Sequence, residues 1–242
     1  MTMKRRIVAA GLGLAALAAL AATGCSGAWD AGDAGDLRVT VAPGDEWMHQ
    51  FSTFVENPPQ YALWIEDESG VYQGTLFVTR KIATEGWIFN DGERRAEALP
   101  VWVHRRNVRA GDGRLLPSED DPVIDGIVGA TPKEKQVLGL SSRPAMPRFT
   151  VFIEVNHSTD FNGTWPEDAA PGSPGWSGGD GGSGQPSLVY SADVDTADPG
   201  PWDLVLRGRG SADGSDGAVD PDIAGMTSAL GILGSVRVEK NR

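Results

Sequence analysis

The most regular feature of the chain is an alternation of hydrophobic and polar residues in seven segments. In the first, LRVTV (37–41), Leu37, Val39 and Val41 alternate with polar residues. A period of two is typical of a strand with one buried face. The other segments are 60–67, 71–80, 148–156, 187–194, 202–208 and 233–240. Ser69-Gly70 separates the second segment from the third, which predicts a β-hairpin.

No long stretch has the helical period of 3.6 residues, and Gly, Pro and Asp separate the strand-like segments. We therefore predict an all-β fold, an immunoglobulin-like antiparallel β-sandwich of about seven strands, with a small β-barrel as the alternative. The predicted domain spans residues 37–242 as one unit. Within it, the Gly-rich stretch 171–185 is predicted to be a disordered loop.

The N-terminal residues have the composition of an export signal. Three basic residues precede an apolar run over 7–22, which ends in Ala22-Thr23-Gly24-Cys25. This ending resembles a bacterial lipobox, in which the Cys is acylated and becomes the first mature residue. We predict a lipoprotein signal peptide over 1–24 and a flexible tether over 25–36. A membrane span and ordinary secretion are the alternatives.

Cysteine content and net charge restrict the compartments and the partners that are expected for this protein. Cys25 is the only Cys, so the domain has no internal disulfide and depends on packing for its stability. The net charge of −12 repels nucleic acid and anionic lipid head groups. We therefore predict no nucleic-acid partner and a membrane contact through a lipid on Cys25. The expected location is the periplasm or the cell surface.

Four segments resemble a known family in their order along the chain. They are ALWIEDESGVYQGTLFVTRKIATEGW (62–87), EALPVW (97–102), DGIVGATPK (125–133) and FIEVNHSTDFN (152–162). They are similar to a predicted periplasmic family called domain of unknown function 2271, and the resemblance covers about residues 37–240. It implies a β-rich exported domain, often encoded near flavin transferases and extracytosolic redox proteins. The expected function is thus an accessory or binding module of such a flavin or redox system.

The segment 125–131 is also similar to the attachment motif of flavinylated exported proteins. In those proteins a transferase esterifies the phosphate of FMN onto a threonine hydroxyl. The resemblance implies four positions for covalent FMN: Asp125, Gly129, Ala130 and Thr131. FMN on Thr131 would make the chain an electron-transfer protein. The alternative is a structural turn in which Gly126 and Gly129 adopt positive φ.

An acidic segment offers a third function. In DVDTAD (193–198), carboxylates occur at Asp193, Asp195 and Asp198. Calcium prefers several oxygen ligands on a flexible loop, so a calcium-dependent surface-binding domain is a further hypothesis. The alternative is a set of Asx-turns between strands.

The remaining chemistry-bearing residues give no catalytic pattern. His49, His104 and His157 lack the short spacing of a zinc motif, so only the fold can gather them. His157 follows a strong strand, where it is either a ligand or part of a solvated strand end. The chain has no GxSxG motif and no catalytic Cys, so we predict that it is not an enzyme.

Basic residues occur as three adjacent pairs. These are Arg80-Lys81, Arg94-Arg95 and Arg105-Arg106. On an acidic protein such pairs either face an anionic partner or form ion pairs with nearby acids.

Overall fold

The computed structural model describes residues 31–32, 35–52, 55–87, 94–122, 125–143 and 145–241. The predicted signal peptide and Cys25 lie outside these residues. Strands predominate and helices are few, so the predicted all-β class is confirmed. None of the helices in the described ranges is both long enough and apolar enough to cross a bilayer.

The strands form two main sheets and one separate hairpin. The five-stranded sheet has the order β1 (Ala31–Gly32), β8 (Gln136–Leu140), β2 (Leu37–Pro43), β13 (Leu233–Lys240), β11 (Trp202–Asp203). The six-stranded sheet has the order β12 (Val205–Arg209), β10 (Leu188–Asp195), β9 (Arg148–Asn156), β5 (Gln60–Asp67), β6 (Tyr72–Thr79), β7 (Ile127–Gly129). The hairpin consists of β3 (His49–Ser52) and β4 (Val55–Asn57). Among the described strands, β6 and β7 are parallel and the other pairs are antiparallel.

One hydrophobic core is shared by the two main sheets. Val39 and Val41 of β2 belong to the same buried cluster as Val151 and Ile153 of β9. Arg38, between the buried positions of β2, is exposed, as the alternation predicts. Each fully buried aliphatic side chain of this kind contributes about 1.5–3 kcal/mol. The alternation is therefore what holds the two sheets together.

A second core covers the opposite face of the six-stranded sheet. Two short helices, α1 (Arg80–Thr84) and α2 (Pro100–Arg106), pack there. Ile82 of α1 and Trp102 of α2 share a buried cluster with Trp64 of β5. The six-stranded sheet is thus covered on both faces, which is why residues 60–66 of β5 are all buried.

The predicted strands agree closely with the observed ones. Segments 60–67, 148–156 and 233–240 coincide with β5, β9 and β13. The predicted hairpin is confirmed, because β5 and β6 pair antiparallel and Gly70 adopts a φ of 76° in the turn. Segment 202–208 is instead two strands, since β11 pairs with β13 and β12 pairs with β10. The chain therefore passes from one sheet to the other within that segment.

The end of the predicted tether is attached to the sheet. Ala31 and Gly32 pair with β8, and Asp36 accepts a hydrogen bond from the Ser142 N–H at 2.6 Å. A Cβ at Gly35 would lie 2.4 Å from the Leu140 carbonyl oxygen, so glycine is required for this close approach. The flexible tether expected over 25–36 thus differs from the structure at its C-terminal end.

The Gly-rich loop also differs from the predicted disorder. Ser183 and Gln185 are buried, and the Ser177 hydroxyl accepts a hydrogen bond from the Gly184 N–H at 3.1 Å. The Ser183 N–H donates to the Ser177 carbonyl at 2.9 Å. The composition misleads because the glycines of this loop allow it to fold tightly on itself and place small polar side chains inside.

Candidate functional site

The parallel pairing of β6 and β7 determines where the segment similar to a flavin motif lies. Thr79, at the end of β6, pairs with Gly129, at the end of β7. Because parallel strands run in the same direction, the residues that follow them leave the sheet at the same end. Arg80 and Ala130 are the first of these residues, so the two segments meet there.

Gly129, the last residue of β7, and Gly126, the residue before the strand, permit close packing rather than a turn. Neither Gly126 nor Gly129 has a positive φ. A Cβ at Gly126 would lie 2.9 Å from Thr75 Cγ2, and one at Gly129 would lie 3.1 Å from Phe77 Cε2. The two glycines therefore do not adopt the positive φ that they permit, and they allow β7 to lie tightly against β6.

A cleft of about 400 Å³ opens where the two strands end. Three chain segments line it, with residues Pro58, Gln60, Thr79, Arg80, Lys81, Thr84, Gly86, Ala130 and Thr131. Its volume lies within the range of small-molecule pockets, about 300–1,000 Å³. Two of the four residues predicted for FMN, Ala130 and Thr131, therefore form part of its wall.

The Thr131 segment is fixed from both sides. The Thr131 hydroxyl donates to the Pro59 carbonyl at 2.7 Å. The next carbonyl, that of Pro132, accepts from the indole N–H of buried Trp47 at 2.9 Å. These two bonds hold the backbone and the hydroxyl of Thr131 in one orientation at the cleft wall.

The fold does not place Asp125 next to Thr131. It precedes β7, accepts from the Tyr72 hydroxyl at 3.0 Å and forms an ion pair with Arg106 at 3.2 Å. Burial, together with the adjacent Asp125 carboxylate, raises the pKa of Tyr72 above its ordinary value. Asp125 is absent from the cleft lining, and β7 lies between it and Thr131. Its role is to tie α2 to the edge of the sheet.

Two of the three basic pairs are engaged with acids. The ion pairs are Arg94–Glu85 at 3.9 Å, Arg95–Glu97 at 3.0 Å, Arg105–Glu66 at 3.4 Å and Arg106–Asp125 at 3.2 Å. Within the described part of the chain, Arg80 and Lys81 have no acidic partner. The pair at the cleft is therefore the one whose charge can act on a ligand.

A buried polar layer lies behind Lys81. The Trp87 ring has the Arg95 guanidinium 4.4 Å from its centre and Lys81 Nζ at 5.9 Å. Glu85 accepts from the Trp87 indole N–H at 2.7 Å. Burial and the nearby Arg95 charge lower the pKa of Lys81. A bound anion would offset both effects, so this layer favours a negatively charged ligand.

Glu85→Gln is expected to weaken the pH dependence of stability. Burial raises the pKa of Glu85 from 4.5 to about 7. Ionisation therefore costs more in the folded state, and the contribution of Glu85 to stability falls as the pH rises from 4.5 to about 7. Gln does not ionise, so the slope is reduced by up to about 1.4 kcal/mol per pH unit. Urea unfolding at several pH values measures this slope, and an unchanged slope would contradict the prediction.

The residues predicted to bind calcium share a second, shallow cleft. It has a volume of about 540 Å³ and contains Asp193, Asp195 and Asp198. Arg148 also lines it, and the Asp195 side chain accepts from the Ala197 N–H at 2.9 Å, as in an Asx-turn. Asp193 accepts from the Thr150 hydroxyl at 2.8 Å. Nowhere in the described ranges do three or more His, Cys, Asp or Glu side chains form a metal-binding group. Calcium binding stays a prediction.

Sequence reasoning missed the structural role of Glu154. This residue is fully buried, and its carboxylate accepts from the N–H groups of Val101 at 3.1 Å and Trp102 at 2.7 Å, and from the Ser187 hydroxyl at 2.6 Å. It therefore anchors the start of α2, and burial raises its pKa to about 7. The alternation in β9 assigns Glu154 to the face opposite the core. A charged residue is expected on such a face when the face is exposed to solvent. The apolar residues within segment 97–102 cover that face, and their presence in the sequence was the available indication that the face is buried.

The fold and the cleft define a β-rich protein with a cationic site of small-molecule size. Comparisons with models of protein families, with curated proteins and with solved structures find no match for this chain. The resemblance to domain of unknown function 2271 therefore depends on the four sequence segments alone, and what it implies for function is a proposal.

Proposed function

We propose that the protein is an exported, lipid-anchored binding module of an extracytosolic flavin or redox system, without catalytic activity of its own. Its ligand is an anionic small molecule, and the sequence resemblance favours FMN. The observation that carries this proposal is the position of Arg80 and Lys81, which have no acidic partner among the described residues, in the cleft beside Thr131. On a chain of net charge −12, two cations without acidic partners in the described residues favour an anion from outside.

The cleft has the parts that a phosphate ester needs. A phosphate carries a charge of about −1.5 to −2 at neutral pH. Arg80 offers a planar donor group for two parallel hydrogen bonds, and Lys81 offers a compact charge. Pro58 and Ala130 add apolar surface for the rest of the ligand. This combination suits a phosphorylated organic molecule better than a free inorganic ion.

The proposed location and partner come from the sequence, and the proposed fold type comes from the packing of the two main sheets. A lipid on Cys25 would attach the protein to a membrane, in the periplasm or at the cell surface. Its partner would be a flavin transferase or a redox protein. We propose an immunoglobulin-like β-sandwich for the two main sheets, because they face each other across one core.

Arg80→Gln and Lys81→Gln are each expected to weaken FMN binding about tenfold, because each removes one charge-assisted contact worth about 1.5–3 kcal/mol. Titration of FMN fluorescence against the wild type and each variant measures this effect. Riboflavin, which has no phosphate, should bind more weakly and respond little to either substitution.

Arg114→Gln is the matched control. It removes the same charge at an exposed surface ion pair with Asp112, which is not part of the cleft. FMN affinity should therefore stay within about twofold of the wild type. Absence of FMN binding by the wild type, or equal effects of the Arg80 and Arg114 substitutions, would overturn the proposal.

A second candidate is that the cleft holds FMN covalently on Thr131. The fixed orientation of the Thr131 hydroxyl, beside two cations that can hold a phosphate, favours it. In this reaction the Thr131 oxygen bonds to the phosphorus of the FMN half of a flavin dinucleotide. The hydroxyl proton passes to a base, and AMP leaves with the electrons of the broken P–O bond. Because Asp125 is engaged with Arg106 and Tyr72, the transferase supplies that base.

A further inference from the structure

The fold brings together two of the three histidines that are far apart in sequence. His49 begins β3, and His157 follows the last residue of β9. Their ring centres are 5.3 Å apart, with an angle of 37° between the planes. The third, His104, is on α2, where its ring is near the Gly214 carbonyl. The pair lies outside the residues that line the Thr131 cleft.

The hydrogen bond of His157 determines which ring nitrogen carries the proton. Nε2 lies 2.9 Å from the Glu46 carbonyl oxygen, which can only accept, so Nε2 carries the hydrogen. Nδ1 therefore has a free lone pair. It is buried and has no hydrogen-bond partner among the residues that the structure describes, and His157 is only 2% exposed. An unpaired buried acceptor of this kind is costly, unless it binds something.

This arrangement is the one found in metal-binding histidines. Such a residue donates its second N–H to a carbonyl or carboxylate, which fixes the ring and leaves the other nitrogen for the metal. In His157 the Glu46 carbonyl has that role. The neighbouring ring, His49, is partly exposed, so an ion can reach the pair from solvent.

The ring separation fits one shared metal ion. With a metal–nitrogen bond of about 2.0 Å, the ion lies roughly 3.2 Å from each ring centre, so two rings at a tetrahedral angle have centres about 5.2 Å apart. The observed separation is 5.3 Å. The separation is therefore compatible with one ion bound between the two rings.

The surroundings leave one nitrogen of His157 free and the site electrostatically suited to a cation. The hydrogen bond from Nε2 to the Glu46 carbonyl leaves the lone pair of Nδ1 free for a cation. Asp160 lies close enough to act on His157 by its charge. Its carboxylate accepts from Ser228 at 2.6 Å and from Gln185 at 2.8 Å, so it adds negative potential rather than a ligand.

We propose that His49 and His157 form a binding site for a late first-row transition-metal ion, Cu²⁺ or Zn²⁺. Imidazole is a preferred ligand of both ions, and Cu²⁺ binds more tightly at a given nitrogen site. No third His, Cys, Asp or Glu joins the pair within the described residues. The other coordination positions are therefore open to water or to a small exogenous ligand, which distinguishes this site from a closed structural one.

Copper titration of the purified chain, with Cys25 alkylated, tests the site. Isothermal titration should give one Cu²⁺ per chain, and His49→Ala should weaken binding by about tenfold or more. His104→Ala is the matched control, because it removes the histidine that lies elsewhere and should leave the affinity within about twofold. Equal affinities of the wild type and His49→Ala, or no binding by the wild type, would overturn the proposal.

Electron paramagnetic resonance of the Cu²⁺-loaded wild type identifies the ligand atoms directly. Two coordinated imidazoles should produce hyperfine splitting from two equivalent or nearly equivalent nitrogens. His49→Ala, whose substitution lies at a partly exposed position, should show splitting from a single imidazole at most. A spectrum with oxygen ligands alone would exclude the His49–His157 site.

Discussion

Glu154→Ala is expected to lower the free energy of unfolding by about 3–5 kcal/mol, because it leaves buried donors without an acceptor. The N–H groups of Val101 and Trp102 and the Ser187 hydroxyl all donate to this one carboxylate. An unsatisfied buried polar group costs about 1–3 kcal/mol, and the shorter side chain also leaves a cavity. Urea unfolding of the two proteins at the same pH measures the difference.

Glu68→Ala is the control for this prediction. Glu68 also pairs with a donor, Arg148 at 2.6 Å, but both side chains are 59% exposed. An exposed ion pair contributes about 0–1 kcal/mol, so this variant should unfold almost as the wild type does. A Glu154→Ala variant within about 1 kcal/mol of the wild type would show that α2 does not depend on the carboxylate.

Thr131→Ala is expected to abolish covalent flavin completely, because it removes the hydroxyl on which the proposed phosphate ester forms. Co-expression with a flavin transferase, followed by in-gel fluorescence, measures the label. Thr131→Ser keeps a hydroxyl at the cleft wall and should keep part of the label. The effect is all or none, unlike the graded loss expected for the noncovalent site.

Thr84→Ala separates the attachment residue from the rest of the cleft. Thr84 also lines the cleft, but its hydroxyl donates to the Arg80 carbonyl at 2.9 Å, inside α1. Its loss should leave the label intact. If the wild type carries no label, covalent attachment is excluded, while noncovalent FMN binding is decided separately by the titration of the Arg80 and Lys81 variants.

Most of the fold follows from the period-two pattern, for a physical reason. In β2, β9 and β13, buried positions alternate with more exposed ones along several residues, so the pattern is distinguishable from local variation in composition. Strands β1 and β7 have two and three residues, which are too few for a period to appear. At β7, Gly126 and Gly129 allow close contact with Thr75 and Phe77 of β6, and a hydrophobic pattern does not record such a contact. Such short strands form because of the strands that they pair with. Those partners are distant in sequence, so a local pattern does not reveal them.

The candidate sites were only partly predictable. Thr131 and Ala130 were found by their resemblance to a motif, but Asp125, six positions before Thr131, is separated from them by a strand. Arg80 and Lys81 have no acidic partner among the described residues, whereas the fold places acids next to the other two basic pairs. The sequence does not show which pairs receive these acids. The contact of His49 with His157 joins the hairpin β3–β4 to the end of β9. Long-range juxtaposition of this kind leaves no trace in residue spacing.

The position of the cleft at the ends of β6 and β7 has a consequence for the kinetics of binding. Gln60 and Thr79 line it at the ends of β5 and β6, and its other lining residues lie outside the strands, so a small molecule can come and go while both hydrophobic layers stay closed. Association should then be governed by diffusion and by the attraction of the two cations, and it should slow as salt screens them. No partial unfolding is needed for exchange, and rapid loading is compatible with a rigid scaffold.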